Sequence, residues 1–251
     1  MQPITDTLGP VIRLSTCKVC GNEAPLYGVA DFNKSCAENH GCYLPLAGVP
    51  VYYQRCAHCG LVFTHAFDHW DRRAYLRHIY NDDYHRVDPD YADARPSANA
   101  ALVADFVHHA AALKCLDYGG GNGRLAALLR ERGVDGYSWD LMRDDEAEPP
   151  EHAFDLVTAF EVLEHTPQPL TTVRQALALL NSRGVMLFST VTIDALPQRA
   201  MDYWYIAPRN GHITIHTTRS LQILFATCGY RIHHFNQDLH LAIRELPDWL
   251  R

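Results

Sequence analysis

The rhythm of apolar and polar positions changes near residue 97. Beyond it, apolar runs of strand length alternate with stretches whose apolar residues recur every three to four positions, as on a helix with one buried face. The pattern predicts strands at 114–118, 136–139, 154–160, 185–190 and 230–236, with another near Leu241. It predicts helices at 97–113, with Ser97 as N-cap, at 122–132, with Gly133 just past its end, at 169–180 and at 220–227. The run FDLVTAF (154–160) is apolar on both faces, as a parallel strand covered on both sides should be. Strands alternating with helices predict an α/β fold built on a doubly wound, mostly parallel sheet. Before residue 97 helical patterns are few, and short strands are expected at 51–55 and 61–64. Residues 66–96 are polar and aromatic, with Trp70, Tyr75, Tyr80, Tyr84 and Tyr91. The expected division is a small module at 1–65, a Tyr-rich connecting or lid segment at 66–96, and a main domain at 97–251.

A length of 251 residues suits one large domain and a small one, and 47% apolar with 20% charged residues is an ordinary globular balance. The net charge of −7 argues against a nucleic-acid partner, because phosphate binding needs clustered Lys and Arg. The most apolar stretch, 98–116, is broken by Asp105, His108, His109 and Lys114, so no membrane span is expected. The opening residues MQPITDTLGPVIRLS lack the apolar segment of a secretory signal, and the expected location is cytoplasmic. Nothing in the pattern speaks to oligomeric state.

Eight cysteines without such a signal read as metal ligands or free thiols rather than as a disulfide framework. Two matched pairs, CKVCG and CAHCG, place Cys17 with Cys20 and Cys56 with Cys59, each second cysteine followed by glycine (Gly21, Gly60). Such knuckles bring two thiolates onto one tight turn, and two knuckles make a tetrahedral four-cysteine site suited to structural Zn²⁺. The 35 residues between the pairs exceed the usual spacing and include Cys36, His40 and Cys42, so exchange of ligands stays open. Cys115 and Cys228 read as core packing.

In DYGGGNG, Asp117, Gly119, Gly121 and Gly123 join the end of a strand to the start of a helix, and Asp140 ends the next strand. Small residues let the backbone approach a ligand, and helix N-terminal N–H groups favour an anion. In S-adenosylmethionine that anion is the methionine carboxylate; Asp117 suits the ammonium group and Asp140 the ribose hydroxyls. The loop also fits the dinucleotide fingerprint G-x-G-x-x-A from Gly121 to Ala126, with an acid 19 residues after Gly121, so NAD stays open on these residues alone.

Three later stretches carry a resemblance: FDLVTAFEVLEHTPQPL (154–170), LLNSRGVMLFSTV (179–191) and GHITIHTTRSLQILFATCGYRI (211–232). With DYGGGNG they resemble, in order, the motifs of class I S-adenosylmethionine-dependent methyltransferases, which have a Rossmann-like fold. The resemblance covers about residues 97–240. The zinc-ribbon-like start and Tyr-rich stretch also occur in this superfamily, including small-molecule and sugar methyltransferases. The resemblance implies that Asp117, Gly119, Gly121 and Gly123 hold the methionine end of the cofactor, that Asp140 holds the ribose, and that Phe160 or Glu161 lies near the ligand. Only 13 residues separate Asp140 from Phe154, too few for the usual helix and strand carrying the adenine-contacting acid. The sheet is therefore expected to be shortened after its second strand, with Asp144, Asp145 or Glu146 as substitutes.

For chemistry, Glu161-x-x-Glu164-His165 lies just beyond a strand's carboxyl end, where open α/β sheets bind ligands. His165 is a candidate base or substrate contact; in some resembling methyltransferases such a unit holds a divalent metal, and that question stays open. The long aromatic loop YWYIAPRNGHITIHT (203–217) supplies His212 and His216 as further candidate bases, with Tyr203, Trp204 and Tyr205 as pocket walls and Arg209 as a receptor for an anionic group. The reading is a methyltransferase acting on a small-molecule acceptor at oxygen or carbon, a sugar nucleotide or similar intermediate. The alternatives are a non-catalytic binding protein on a vestigial fold and an NAD-dependent oxidoreductase.

Overall fold

The computed structural model describes residues 13–107, 113–143, 149, 151–195 and 200–250. In chain order its elements are β1 (Leu14–Thr16), β2 (Glu23–Asp31), β3 (Pro50–Arg55), β4 (Val62–Thr64), α1 (Arg72–His78), α2 (Ala94–Phe106), β5 (Lys114–Tyr118), α3 (Arg124–Glu131), β6 (Asp135–Trp139) and β7 (Phe154–Phe160). There follow α4 (Pro169–Ala178), β8 (Leu180–Ser189), β9 (Thr214–Ile215), α5 (Thr218–Ala226), β10 (Arg231–His234) and β11 (Leu239–Ile243). They form two compact units. The first takes the described residues up to Pro89 with Leu163–Leu170 and Val191–Leu224; the second takes Asp90–Val162, Thr171–Thr190 and the described residues from Phe225 on.

The second unit is a six-stranded sheet in the order β10-β11-β8-β7-β5-β6. The neighbours β8, β7, β5 and β6 run parallel, and the β10–β11 hairpin closes one edge antiparallel. This is the expected mixed α/β sheet, mostly parallel where strands and helices alternate. Leu156, Val157 and Ala159 of β7 are fully buried, as the unbroken apolar run requires. In α3 the buried residues Leu125, Ala126, Leu128 and Leu129 recur at helical spacing. With Ala100 and Val103 of α2, Leu125, Leu128 and Leu129 pack on Cys115, Leu156, Val185, Leu187 and Leu241 of the sheet. Each fully buried leucine contributes roughly 1.5–3 kcal/mol. Between β6 and β7 the described residues form no helix or strand, which matches the expected shortening; Asp144, Asp145 and Glu146 lie outside the described residues.

Ser97 is not the N-cap of its helix. The helix starts at Ala94, Asp93 occupies the cap position, and the Ser97 N–H makes an internal bond to the Asp93 carbonyl (2.9 Å). Pro96 falls in the first turn, where no N–H is needed, so it does not delay the start. The helix ends at Phe106; of its expected extension to 113, residues 108–112 lie outside the described set.

The first unit is an antiparallel sheet in the order β1-β2-β3-β4-β9. Its last strand comes from far along the chain, with Val62 opposite Ile215 and Phe63 opposite Thr214. The unit boundaries therefore differ from those expected after residues 65 and 96. Residues 66–89 belong with the N-terminal sheet, as do 163–170 and 191–224. A two-residue strand has no periodicity to read; its Ile215 and the preceding Ile213 are fully buried. Within the Tyr-rich segment, Trp70 packs edge-on against Phe67 and Tyr75 (4.6 and 5.3 Å between ring centres), and Asp71 caps α1 by accepting from the Ala74 N–H (2.8 Å). No helix of the described residues is long and apolar enough to cross a membrane.

Candidate functional site

The two cysteine knuckles fold alike. Gly21 and Gly60 adopt positive φ (73° and 77°) and donate to the carbonyls of Cys17 and Cys56 (3.1 and 3.0 Å). L side chains rarely take that conformation, so glycine is needed there. The Cys17 and Cys59 sulfurs are 3.6 Å apart, those of Cys20 and Cys56 3.4 Å, and all four lie within 4.8 Å of one another. Tetrahedral Zn–S bonds of about 2.3 Å put sulfurs about 3.8 Å apart, so the cage fits that ion. The Val19 N–H, the Cys59 N–H and the Asn22 amide reach sulfurs at 3.4–3.5 Å. The thiol of Cys59 beside Cys17 holds Cys17 down at about 5 against the effect of burial, while Cys59 itself is raised. Cys36 and Cys42 stand outside the cage.

The glycine loop lies in the second unit, at the carboxyl ends of β5 and β6. The N–H groups of Gly119 and Gly120 both donate to the Trp139 carbonyl (2.8 and 3.1 Å), which bends the chain over β6. A Cβ on Gly119 would fall 2.6 Å from Val162 Cγ2, and one on Gly120 would overlap the Asp117 carboxylate and the Ser138 hydroxyl. On Gly121 it would meet nothing within 4 Å, so the outer side of the loop is open there. Asp117 is buried; burial pushes its carboxyl up to about 7, opposed by a hydrogen bond from Thr158 Oγ1 (3.2 Å) and helped by nearby Asp140. Asp140 accepts from the N–H groups of Gly121 (2.7 Å) and Met142 (2.6 Å). Gly123 precedes α3 in a left-handed conformation, and Asn122 Oδ1 accepts from the Arg124 N–H (3.1 Å). Asp117, Gly119, Gly121, Gly123 and Asp140 are thus gathered in one place. Together they set a buried acid and a second acid beside a bend of small residues, whose Gly119, Gly120, Gly121 and Gly123 N–H groups bond within the protein.

Phe160 ends β7 and Glu161 follows it, in the same unit. Glu161 has a positive φ of 55°, unusual for a residue with a Cβ, and its carboxylate accepts from Ser189 Oγ (2.9 Å). Glu164 and His165 belong to the first unit, where they meet His212. One donor atom from each of the three lies within 4.8 Å of the others. Glu164 is wholly buried; its Oε1 accepts from Tyr205 Oη (2.8 Å) and lies 3.9 Å from His165 Nε2. The Tyr205 hydroxyl accepts from the Val191 N–H (3.1 Å), and the Tyr205 carbonyl faces His212 Nδ1 at 2.9 Å. A carbonyl only accepts, so Nδ1 carries the proton and Nε2 the lone pair. The His165 and His212 rings stand edge to face at 4.9 Å.

The loop bearing His212 is held by residues distant in sequence. Lys34 Nζ donates to the carbonyls of Tyr203 and Ile206 (both 2.9 Å), Asn210 bonds to the Cys36 N–H and the Val87 carbonyl, and Tyr53 Oη donates to the His212 carbonyl (2.8 Å). Arg209, expected to receive an anion, is buried and donates to the Ile79 carbonyl (2.9 Å) and Asn81 Oδ1 (3.1 Å). It anchors the loop. His216 lies outside the cluster: it is buried where α5 begins, with Nδ1 3.2 Å from Ser220 Oγ. Next to it, Thr217 Oγ1 donates to the Cys59 carbonyl (2.5 Å), so the cysteine knuckle abuts the end of this loop. Sequence pattern flags Glu164 and His165 in one motif and His212 in another. It missed Tyr205 as the group joining them, and Lys34 altogether.

A family model described as a methyltransferase domain matches residues 91–235. The ubiquinone biosynthesis O-methyltransferase of Neisseria meningitidis is 42% identical over 48 residues, 19% of this chain and 20% of that protein. The protein of the same name from Histophilus somni is 47% identical over 38 residues, 15% of this chain and 16% of its own. The chain thus spans about a fifth of the length of the curated relatives it matches. Among solved structures, an O-methyltransferase family protein from Burkholderia thailandensis superposes with a TM-score of 0.52 at 16% identity, covering 71% of this chain and 64% of that one. The 1,6-didemethyltoxoflavin-N1-methyltransferase of the same species, with 1,6-didemethyltoxoflavin and S-adenosylhomocysteine bound, gives 0.51 at 18% identity, covering 76% and 97%. These likenesses show the fold.

Proposed function

Because the chain belongs to the methyltransferase-domain family, whose model matches more than half of it, we propose that it methylates a small-molecule acceptor with S-adenosylmethionine. When bound, that cofactor supplies an electrophilic methyl group on a sulfonium. Asp117 receives its ammonium group, the bend of small residues at Gly119, Gly121 and Gly123 lets its methionine end approach the backbone, and Asp140 receives its ribose hydroxyls. The observation that carries this reading is the open bend at Gly121 between two acids at the carboxyl edge of the sheet. The four-cysteine cage holds structural zinc, since four protein sulfurs leave no position for substrate.

Direct displacement asks the protein mainly to align acceptor and methyl group in a dry site. The buried group Glu164, His165 and His212 handles the acceptor's proton, which favours a hydroxyl or an acidic carbon. The short matches to ubiquinone biosynthesis O-methyltransferases support oxygen as the acceptor atom. Replacing His212 with alanine is expected to lower turnover by about 100-fold or more and to leave cofactor affinity nearly unchanged. An unaltered rate removes His212 from catalysis. Calorimetry with S-adenosylhomocysteine and NAD tests the cofactor: binding of the first is expected, and binding of NAD alone, or of neither, overturns the reading.

A further inference from the structure

We propose that the second unit carries another small-molecule site, a cleft that takes a phosphate monoester between Arg174 and Arg244 at the amino edge of the sheet. It does not rest on the methyl-transfer reading.

The cleft has a volume of about 240 Å³ and opens where β7 and β8 begin and α4 and α5 end. All of its lining belongs to the second unit. Strand β7 runs from this edge toward the glycine loop, and its 7 residues span about 20 Å, so the two places are separate. Pockets for drug-sized ligands begin at about 300 Å³, so this one suits an oxyanion with a short organic tail. Leu177 and the Tyr230 ring give it an apolar wall, and Arg174, Arg244 and His152 give it a polar rim.

Among the described residues no carboxylate pairs with Arg174 or Arg244. The acids nearby are engaged elsewhere: Asp248 holds Arg183 through two bonds (2.7 and 3.0 Å), and Asp155 accepts from the Lys114 N–H (2.9 Å) and the Asn181 amide (2.7 Å). Arg244 lies over the Tyr230 ring, 4.9 Å from its centre, and donates to Tyr230 Oη (3.2 Å); Arg174 bonds to the Cys228 thiol. The walls of the cleft thus aim both guanidiniums and leave most of their N–H donors to a ligand. Guanidinium forks match phosphate oxygens in pairs, and a phosphate monoester brings about −1.5 to −2 charges to two cations where a carboxylate brings one. A further observation is independent of the arginines. Among the described non-glycine residues only His152 and Glu161 have positive φ (56° and 55°). Glu161 stands at the glycine-loop edge and His152 in this cleft. Such conformations persist where the surroundings impose them, and they gather at ligand sites. The His152 N–H donates to the Ala178 carbonyl (2.9 Å) and its Nδ1 to the Leu180 carbonyl (3.3 Å), which pins the imidazole to the turn between α4 and β8.

Cys228 lines the cleft and is half-buried, which makes it a reporter for an occupant. Burial pushes its thiol up against the pull of Arg174, so it is alkylated in mildly alkaline buffer. The test treats zinc-replete full-length protein with iodoacetamide, with and without phenyl phosphate, and reads each cysteine by peptide mass spectrometry. With phenyl phosphate at about ten times its dissociation constant, alkylation of Cys228 is expected to slow about tenfold. Alkylation of the exposed Cys42 stays unchanged. Arg174→Ala and Arg244→Ala should each weaken the protection by about tenfold or more, since each removes charge-assisted bonds. Arg174→Lys, which keeps the charge and loses the fork, should weaken it too. Arg183→Ala removes an arginine already paired with Asp248 and should leave it unchanged. Circular dichroism checks that the variants fold, and the wild-type comparison of probes stands without them. No protection by phenyl phosphate overturns the proposal. So does equal protection by phenol, benzoate or inorganic phosphate, or a loss in Arg183→Ala as large as in the other variants.

Discussion

Asp117 sets a proton balance at the cofactor loop. Burial holds its carboxyl at about 7, well above the ordinary 3.8. A folded-state value raised in this way adds stability that is fully present below the unfolded value and is lost as pH rises from about 4 to about 7. An ammonium group, by contrast, needs the ionised form. The affinity for S-adenosylhomocysteine is therefore expected to rise with pH by up to about tenfold per unit between pH 5 and 7, then level off. Calorimetry across that range checks the slope, and Asp117→Asn should flatten it while weakening binding. Thr158, whose hydroxyl bonds to Asp117, was not singled out by any sequence pattern. A threonine in a buried strand reads as packing, and only register places it beside the acid. Asp117, Gly121 and Asp140 were legible because each sits where a strand ends, a position that period and punctuation in the sequence reveal.

At the scale of elements, the alternating strands and helices of the second unit were legible nearly to their ends. Misplaced boundaries trace to turns that propensity does not announce. Strand β8, expected from residue 185, begins at Leu180 because the pairing with β7 shifts register around Gly184, where a Cβ would fall 2.8 Å from the Phe154 carbonyl. The first unit was far less legible. Its sheet is completed by β9, a two-residue strand more than 140 positions from β4, and no local pattern encodes a pairing that distant. The β5–α3 connection offers a direct check on packing. Gly119→Ala brings a methyl against Val162 in a backbone conformation that L side chains avoid, and is expected to cost about 1–3 kcal/mol. Denaturant unfolding monitored in the second unit would show the loss; a change below the error of the method would mean that Val162 and the loop relax freely.

For the whole molecule, the cysteine cage does more than close its own module. Thr217 bonds to the Cys59 carbonyl, and Ile215 and Thr214 extend the sheet beside that knuckle. Structural zinc in small modules contributes about 10–16 kcal/mol to folding, comparable to or larger than the net stability of a whole domain. Chelation is thus expected to loosen residues 203–217, His212 included, and to stop turnover. The second unit has its own core and should still bind S-adenosylhomocysteine. Hydrogen exchange in the presence and absence of chelator is the measurement; protection of 203–217 that survives complete zinc removal would contradict this coupling.

The chain passes between the two units five times, at Pro89/Asp90, Val162/Leu163, Leu170/Thr171, Thr190/Val191 and Leu224/Phe225. No single cut in the gene frees either unit whole. A chimera that exchanged only the N-terminal third for that of a related enzyme would leave β9 facing a foreign β4, and the Tyr203 and Ile206 carbonyls without Lys34. Moving the first unit to another scaffold requires three separate stretches to travel together, and a lineage that sheds the four cysteines has to rebuild residues 191–224 as well.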